Sequence, residues 1–268
     1  MTKNIFMDRV AVVTGGGSGI GKALSFELAS RGAKVVIADI NSMANDVVTE
    51  ITNGGGIAKA ILTNIAIHEQ VEKLIKETVD SFGSIDFMFN NAGIALVAEI
   101  YRMDIERWKK MIDINLMGVI YGTHYAYKQM CEQRSGYIIN TASLGGLVAG
   151  PLRSAYCTGK FGVVGLTLAL RTECRKYGIN ASLVCPGAVK TPIFKNSEMI
   201  GNDREKTEKG LEKTKMLLPE VAAKKILNAV SRNKAIIIMD SMTKILWYIF
   251  RVSPSLFEKL VNRLTVAK

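Results

Sequence analysis

Histidine and tryptophan are scarce in this 268-residue chain, two of each, and cysteine numbers only four. Cys131, Cys157, Cys174 and Cys185 show neither a CxxC pair nor metal-ligand spacing, so no metal is expected and a disulfide framework is excluded. Reduced thiols of a cytoplasmic protein are the expectation. No segment reaches the roughly 18 uncharged apolar residues that a membrane span needs. The opening "MTKNIFMDRVAVVTGG" has no apolar stretch of signal-peptide length before its first charges. Acids are also in deficit, 24 against 35 bases, for a net charge of +11. That excess invites a nucleic-acid or membrane-surface partner. The bases do not gather in one block, however. In "DREKTEKGLEKTK" they alternate with acids, as on a solvated helical face, so no nucleic acid is expected as a partner.

What the chain does have is apolar residues, 48 % of the total, enough for a sizeable core. They recur in short runs: "RVAVVT", "KVVIAD", "AKAILT", "IDFMFN", "GYIINTA", "INASLVC" and "AIIIM". Helical patterns such as "GIGKALSFELASRG" and "HEQVEKLIKETVDSFG" lie between them, the second keeping Val71, Leu74, Ile75, Thr78 and Val79 near one face. Continuous apolar strands alternating with helices predict an α/β fold: a doubly wound parallel sheet of about seven strands, of Rossmann type, with helices on both faces. No linker, repeat or low-complexity segment divides residues 1–268, which read as one domain.

After the first strand comes "TGGGSGIG", opening directly into a helix. Glycines at 15, 19 and 21 let the backbone approach a ligand, and the helix start offers unpaired N–H groups to a pyrophosphate. Asp39 ends the next strand about 20 residues on, placed to accept from ribose hydroxyls and repel a 2′-phosphate. Neither Ser18 nor Ile40 is basic, so NAD is favoured over NADP. "NNAG", Asn90–Gly93, follows the fourth strand, where a small-residue turn lets a nucleoside lie on the backbone.

"SAYCTGKFG" sets Tyr156 and Lys160 four positions apart on one helical face. A cation within about 4–6 Å favours the phenolate, which predicts a phenol brought down toward the working range for proton exchange. "NTASLGG" supplies Ser143 at a strand end, 13 residues earlier, to hold the same substrate oxygen.

Taken in order, "TGGGSGIG", Asp39, "NNAG", "DINLMG", Ser143, the Tyr156–Lys160 pair and "PGAVKT" resemble a short-chain dehydrogenase/reductase of the compact single-domain branch, over about residues 7–192. The resemblance implies an alcohol–ketone oxidoreductase with Tyr156 as general acid/base. Lys160 would tune it and bind the nicotinamide ribose, Ser143 would orient the substrate oxygen, and Asn115 would hold a water linking Lys160 to solvent. It implies a dinucleotide held by Gly15, Gly17, Ser18, Gly19, Ile20, Gly21, Asp39, Asn64, Ile65, Asn91, Ala92 and Gly93, then Tyr156, Lys160, Pro186, Gly187, Val189 and Thr191. Asn64 stands where many relatives carry an aspartate that grips adenine; its amide oxygen can still accept from the adenine amine. Gly159, Gly162 and Gly165 form a small-residue stripe for close packing, on the sheet or on another subunit. Homodimers or homotetramers built on this helix are common in the family.

The polar stretch at about 192–218 reads as a substrate lid, with Ile193, Phe194, Met199, Met216 and Leu217 either an apolar lining suited to a lipophilic alcohol or ketone or, equally, ordinary helix packing. The extension at about 241–268 mixes Trp247, Tyr248 and Phe250 with Lys244, Arg251, Lys259 and Arg263, and spaces Leu256, Phe257, Leu260, Val261 and Leu264 helically. Peripheral membrane contact fits that composition, and so does packing on the domain or a second subunit. Against the enzyme stands one alternative, a nucleotide-binding regulatory or scaffold protein that kept the fold without catalysis. An intact Ser143–Tyr156–Lys160 set with Asn115 argues for the enzyme.

Overall fold

The structure, a computed structural model, describes residues 4–193, 195–201 and 215–266. Its seven apolar runs become the strands of one parallel sheet: β1 (Val10–Thr14), β2 (Lys34–Asp39), β3 (Ile57–Leu62), β4 (Phe87–Asn90), β6 (Gly136–Thr141), β7 (Ile179–Cys185) and β9 (Ile236–Ile238). Their spatial order is β3-β2-β1-β4-β6-β7-β9, every neighbouring pair parallel. Strands covered on both sides need no polar face, and β1 and β4 are buried along their whole length.

Alternation along the strands sends side chains to two core layers. Ala11, Val13, Val35 and Ile37 pack with α1 (Gly19–Ser30), α2 (Met43–Asn53) and α7 (Pro219–Val230). Val12, Val36, Ala38 and Ile138 pack with α3 (His68–Phe82), α5 (Gly118–Gln133) and α6 (Ser154–Glu173). The expected inner face of α3 is buried at Val71, Leu74, Ile75 and Thr78. Strand order reverses between β1 and β4, so a crevice opens at their carboxyl ends.

Three features were not anticipated. Helix α4 (Ile105–Ile112) runs into a π-helical turn, Asp113–Met117, before α5 continues the same rod. A two-stranded ribbon joins β5 (Leu96–Ala98) to β8 (Glu198–Ile200), the latter inside the proposed lid. The C-terminal extension is a helix pair, α8 (Ser241–Val252) and α9 (Pro254–Val266), rather than one helix.

A buried polar network joins sheet to helices behind the crevice. Asn90 Nδ2 donates to Asn140 Oδ1 at 2.8 Å and to Thr123 Oγ1 at 3.3 Å, and Asn140 Nδ2 donates to Thr167 Oγ1 at 3.1 Å. Gly122 on α5 lies so close that a Cβ there would fall on Asn90 Oδ1. Gly159 and Gly162 abut Asn115 and Leu116 within this chain, while Gly165 has no atom within 4 Å of a virtual Cβ. The stripe therefore divides: two glycines serve internal packing, and one faces open space.

These glycines give opposite expectations. Gly122→Ala should destabilise by about 1–3 kcal/mol through overpacking. Gly165→Ala should stabilise by about 0.5–1 kcal/mol, since only helix propensity changes. Urea unfolding of both variants reads the signs; equal effects would contradict this packing.

Candidate active site

Each part of the site is a segment that follows a parallel strand into the crevice. Beyond β1, Gly15 has φ +64° and a Cβ there would come within 2.9 Å of Ala92 Cα, so glycine permits the two strand-end loops to touch. The loop then delivers Ser18 as N-cap of α1, with no side-chain cap bond. The N–H groups of that helix start face the crevice end of the sheet, a fitting place for an anion. Asp39, at the end of β2, closes the loop from outside: Oδ2 accepts from Gly17 N at 2.9 Å, and Oδ1 accepts from Asn41 N at 3.0 Å.

Thr14 is a site residue that sequence reasoning missed. Its hydroxyl accepts from Asn91 N at 2.9 Å and Ala92 N at 3.1 Å, while Asn91 Nδ2 donates to the Thr14 carbonyl at 3.0 Å. These bonds clamp the "NNAG" turn onto the end of β1. A threonine ending a β-branched strand carries no sequence signal for such a role. Asn64 turns partly inward, its Oδ1 accepting from Ala66 N at 3.0 Å. Ile65 is buried and packs on Gly118 at the head of α5.

Asn115 projects from the π-helical turn, the kind of local bulge that re-aims a side chain. It is fully buried and grips Ile94 twice: Nδ2 donates to the carbonyl at 2.9 Å, and Oδ1 accepts from the N–H at 3.1 Å. Gly93 fits between Asn115 and Lys160, where a Cβ would stand 2.8 Å from Asn115 Oδ1 and 3.3 Å from Lys160 Nζ.

Lys160, only 3 % exposed, donates from Nζ to the Thr141 carbonyl at 3.0 Å, and Nζ lies 5.9 Å from the centre of the Tyr156 ring. Ser143 caps a short 3₁₀ turn, its Oγ accepting from Gly145 N at 3.1 Å. The Tyr156 ring packs against Gly145 and the apolar cluster of Leu96, Met103, Met111 and Ala155, beside Ile94 and Trp108. Tyr156, Lys160, Ser143 and Asn115 therefore lie together; helical spacing predicted only the Tyr156–Lys160 pairing, and the resemblance alone implied Asn115.

Their electrostatics differ from the expectation. Burial pushes the Tyr156 phenol above its ordinary value, and hydrogen bonding by Ser143 and the nearby Arg153 charge only partly oppose it. Lys160 is brought down to about 8, again by burial. The expected lowering of Tyr156 is overturned because removing the phenol from water outweighs the opposing contributions of Ser143 and Arg153.

At the far end of the crevice, Thr191 stands against Gly19, 3.2 Å from a virtual Cβ. The Pro186 carbonyl accepts from Leu144 N at 2.7 Å, and Gly187 abuts Asp240 and Thr243 at the start of α8. Val189 is buried and bridges to Leu217. Leu217 packs on the core, and Met199 pairs with Val97 in the ribbon. Phe194 and residues 202–214, including most of the lid, lie outside the described residues, as does the side chain of Leu264. No helix among the described residues is long and apolar enough to cross a membrane.

The family model for short chain dehydrogenases matches residues 9–199, which hold the whole constellation from the glycine loop to Thr191. This chain belongs to the short chain dehydrogenase family. It is similar to the cyclohexanol dehydrogenase of Acinetobacter sp. (strain SE19), 41 % identical over 202 residues, covering 74 % of this chain and 80 % of that protein. It is 40 % identical over 190 residues to the 3-oxoacyl-[acyl-carrier-protein] reductase of Synechocystis sp. (strain ATCC 27184 / PCC 6803 / Kazusa), covering 70 % of this chain and 77 % of the relative. Among solved structures, a short chain dehydrogenase/reductase from Burkholderia phymatum in complex with NAD superposes with TM-score 0.87 at 26 % identity, over 94 % of this chain and 95 % of that one. As a family member the chain is an oxidoreductase with a Rossmann-type sheet.

The Lys160 position makes stability depend on pH. The unfolded lysine holds its proton to about 10.4, the folded one only to about 8, so between these values the unfolded state binds more protons and stability rises with pH. Lys160→Met removes that contribution. Parent and variant should differ in their pH slope between pH 8 and 10.5, the parent gaining, when urea unfolding is measured across the range. Parallel curves would contradict a desolvated ammonium.

Proposed function

We propose that the chain is an NAD-dependent short-chain dehydrogenase/reductase interconverting a secondary alcohol and a ketone on a lipophilic substrate. The observation that carries this is the meeting of Ser143, Tyr156, Lys160 and Asn115 beside the Gly15–Gly21 loop. The residues fit a dinucleotide: glycine at 15 and 19 adds no side chain of its own where Ala92 and Thr191 come close. The pyrophosphate would lie at Gly17–Gly21, the ribose at Asp39, the adenine by Asn64 and Ile65, and the nicotinamide between Asn91–Gly93 and Pro186–Val189, with Thr191 at its phosphate. A bound nicotinamide supplies the acceptor or donor of hydride.

The chain supplies the proton chemistry. Tyr156 gives its proton to a ketone oxygen in reduction or takes one from an alcohol in oxidation, while Ser143 hydrogen-bonds the same oxygen. A phenol held above its ordinary value keeps its proton in the free chain and enters reduction as an acid. Lys160 holds the ribose and adds positive charge near the phenolate formed in the other direction. Asn115 would position a water behind Lys160.

NAD is favoured because Asp39 presents a carboxylate where a 2′-phosphate would sit, and Lys22, early in α1, is already paired with Glu50 at 3.0 Å. The apolar wall of Leu96, Met103, Trp108 and Ile94 around Tyr156 favours a lipophilic substrate, in keeping with a relative named for cyclohexanol. Residues 1–268 act as one cytoplasmic domain with a lid near 192–218. The exposed Phe161 and Leu168 on α6 support a homodimer or homotetramer. A scaffold without activity would have no use for four converging catalytic groups.

Tyr156→Phe removes only the hydroxyl. Turnover of the best alcohol or ketone in a screen of cyclohexanols, hydroxysteroids, retinols, diols and β-hydroxyacyl thioesters should fall by about 10²–10⁴-fold, with dinucleotide affinity retained. A variant as fast as the parent would refute the acid/base role. Asp39→Ala should shrink the preference for NAD over NADP by about tenfold, one lost hydrogen bond or repulsion being worth roughly 1.4 kcal/mol. An unchanged ratio would move the selectivity elsewhere.

A further inference from the structure

A second concave site lies at the edge of the sheet, away from the switch-point crevice. There β9 has no neighbouring strand on one side among the described residues, and α7 and α8 stand either side of a cavity of about 430 Å³. Cations reach its wall from three segments: Lys225 on α7, Arg232 and Lys234 on the turn into β9, and Lys244 on α8. No described aspartate or glutamate lines it. Lys225 spends a proton on the Met239 carbonyl at 2.8 Å, whereas Arg232, Lys234 and Lys244 are in no ion pair with a described residue. Trp247 and Tyr248 complete the wall, their rings 5.5 Å apart.

The turn that carries two of these cations is held in place. Asn233, between them, has φ +49°, a conformation that needs support in a non-glycine residue. Its Oδ1 accepts from Arg171 Nη1 at 3.0 Å and from the Tyr137 hydroxyl at 3.1 Å. Its Nδ2 donates to Asn180 Oδ1 at 2.7 Å, and its carbonyl accepts from Arg171 Nη2 at 2.8 Å. A turn fixed by four bonds presents Arg232 and Lys234 at the cavity with little ordering left to do, so a ligand meets a preorganised pair of charges.

We infer that this cavity binds a phosphate-bearing ligand. Four cations with no counter-carboxylate among the described residues favour a group of more than one negative charge, and a guanidinium fork matches the oxygens of a phosphate. The neighbouring ring pair, and the exposed Ile245, Tyr248 and Val252 further along α8, provide apolar surface beside the charges. That combination suits a phosphate ester with an apolar body, and its two sources are a soluble ester and a phospholipid headgroup.

The test uses the full-length chain. Titration calorimetry with inorganic phosphate and glycerol 3-phosphate reads the soluble source. Co-sedimentation with vesicles of phosphatidylcholine, with or without phosphatidate, reads the lipid source. Binding to a soluble probe or to phosphatidate vesicles, and none to phosphatidylcholine alone, is the expected result. Arg232→Ala with Lys234→Ala should weaken it at least about tenfold, and Lys244→Ala, on a different element, severalfold. Asn233 stays in all variants, and matching thermal unfolding checks that the turn survives. Lys73→Ala with Lys76→Ala on α3 removes the same net charge and should leave binding unchanged. The proposal is overturned by absence of binding to every phosphate-bearing probe, by equal binding to neutral vesicles, or by variants that bind like the parent. Equal weakening by the α3 pair would also overturn it, since only general charge would then be at work.

Discussion

The site rests on an ammonium taken out of water. Lys160 is almost wholly enclosed between α6, the end of β6 and the turn that follows β4, and donates to the Thr141 carbonyl. A desolvated cation is expensive to hold unless its surroundings give it work, and here the surroundings give it a tyrosine ring and an open crevice. Much else in the fold serves this placement. The π-helical turn brings Asn115 to the same spot, and Gly93 is small enough to let both approach. Thr14 clamps the turn to which Gly93 belongs.

The two titratable partners move in opposite directions for the same reason. Loss of water penalises the phenolate and the ammonium alike, so the phenol rises and the lysine falls. Their ordinary values lie close together, so the rising phenol and the falling lysine move apart, and each group leans toward its neutral form. Four residues apart on one helix face, they answer to the same loss of water. Oxidised nicotinamide would add positive charge beside both groups and favour the phenolate in the oxidation direction.

The fold was largely legible in the chain because parallel strands covered on both faces must be continuously apolar, and seven such runs stand out. The paired Tyr156 and Lys160 were legible because helical spacing alone puts them together. Other elements left no trace that sequence reasoning could use. "DINLM" reads as ordinary helix, and only the three-dimensional path shows its wider turn. Strands β5 and β8 have three residues each, too few for an alternation to register. Spacing also says nothing about solvent, which is why the direction of the Tyr156 shift was misjudged. The glycine stripe of α6 was ambiguous for the same reason: its partners, Asn115 and Leu116, come from a distant stretch of chain.

The most direct measurement is a pH titration of Tyr156 itself, by NMR of tyrosine labelled at Cζ, in the free chain and with oxidised NAD. Tyr156→Phe assigns the signal. The account predicts a phenol that titrates above the ordinary tyrosine value when free and moves down when the oxidised dinucleotide binds. A phenol already titrating near neutrality in the free chain, or one indifferent to the dinucleotide, would contradict it.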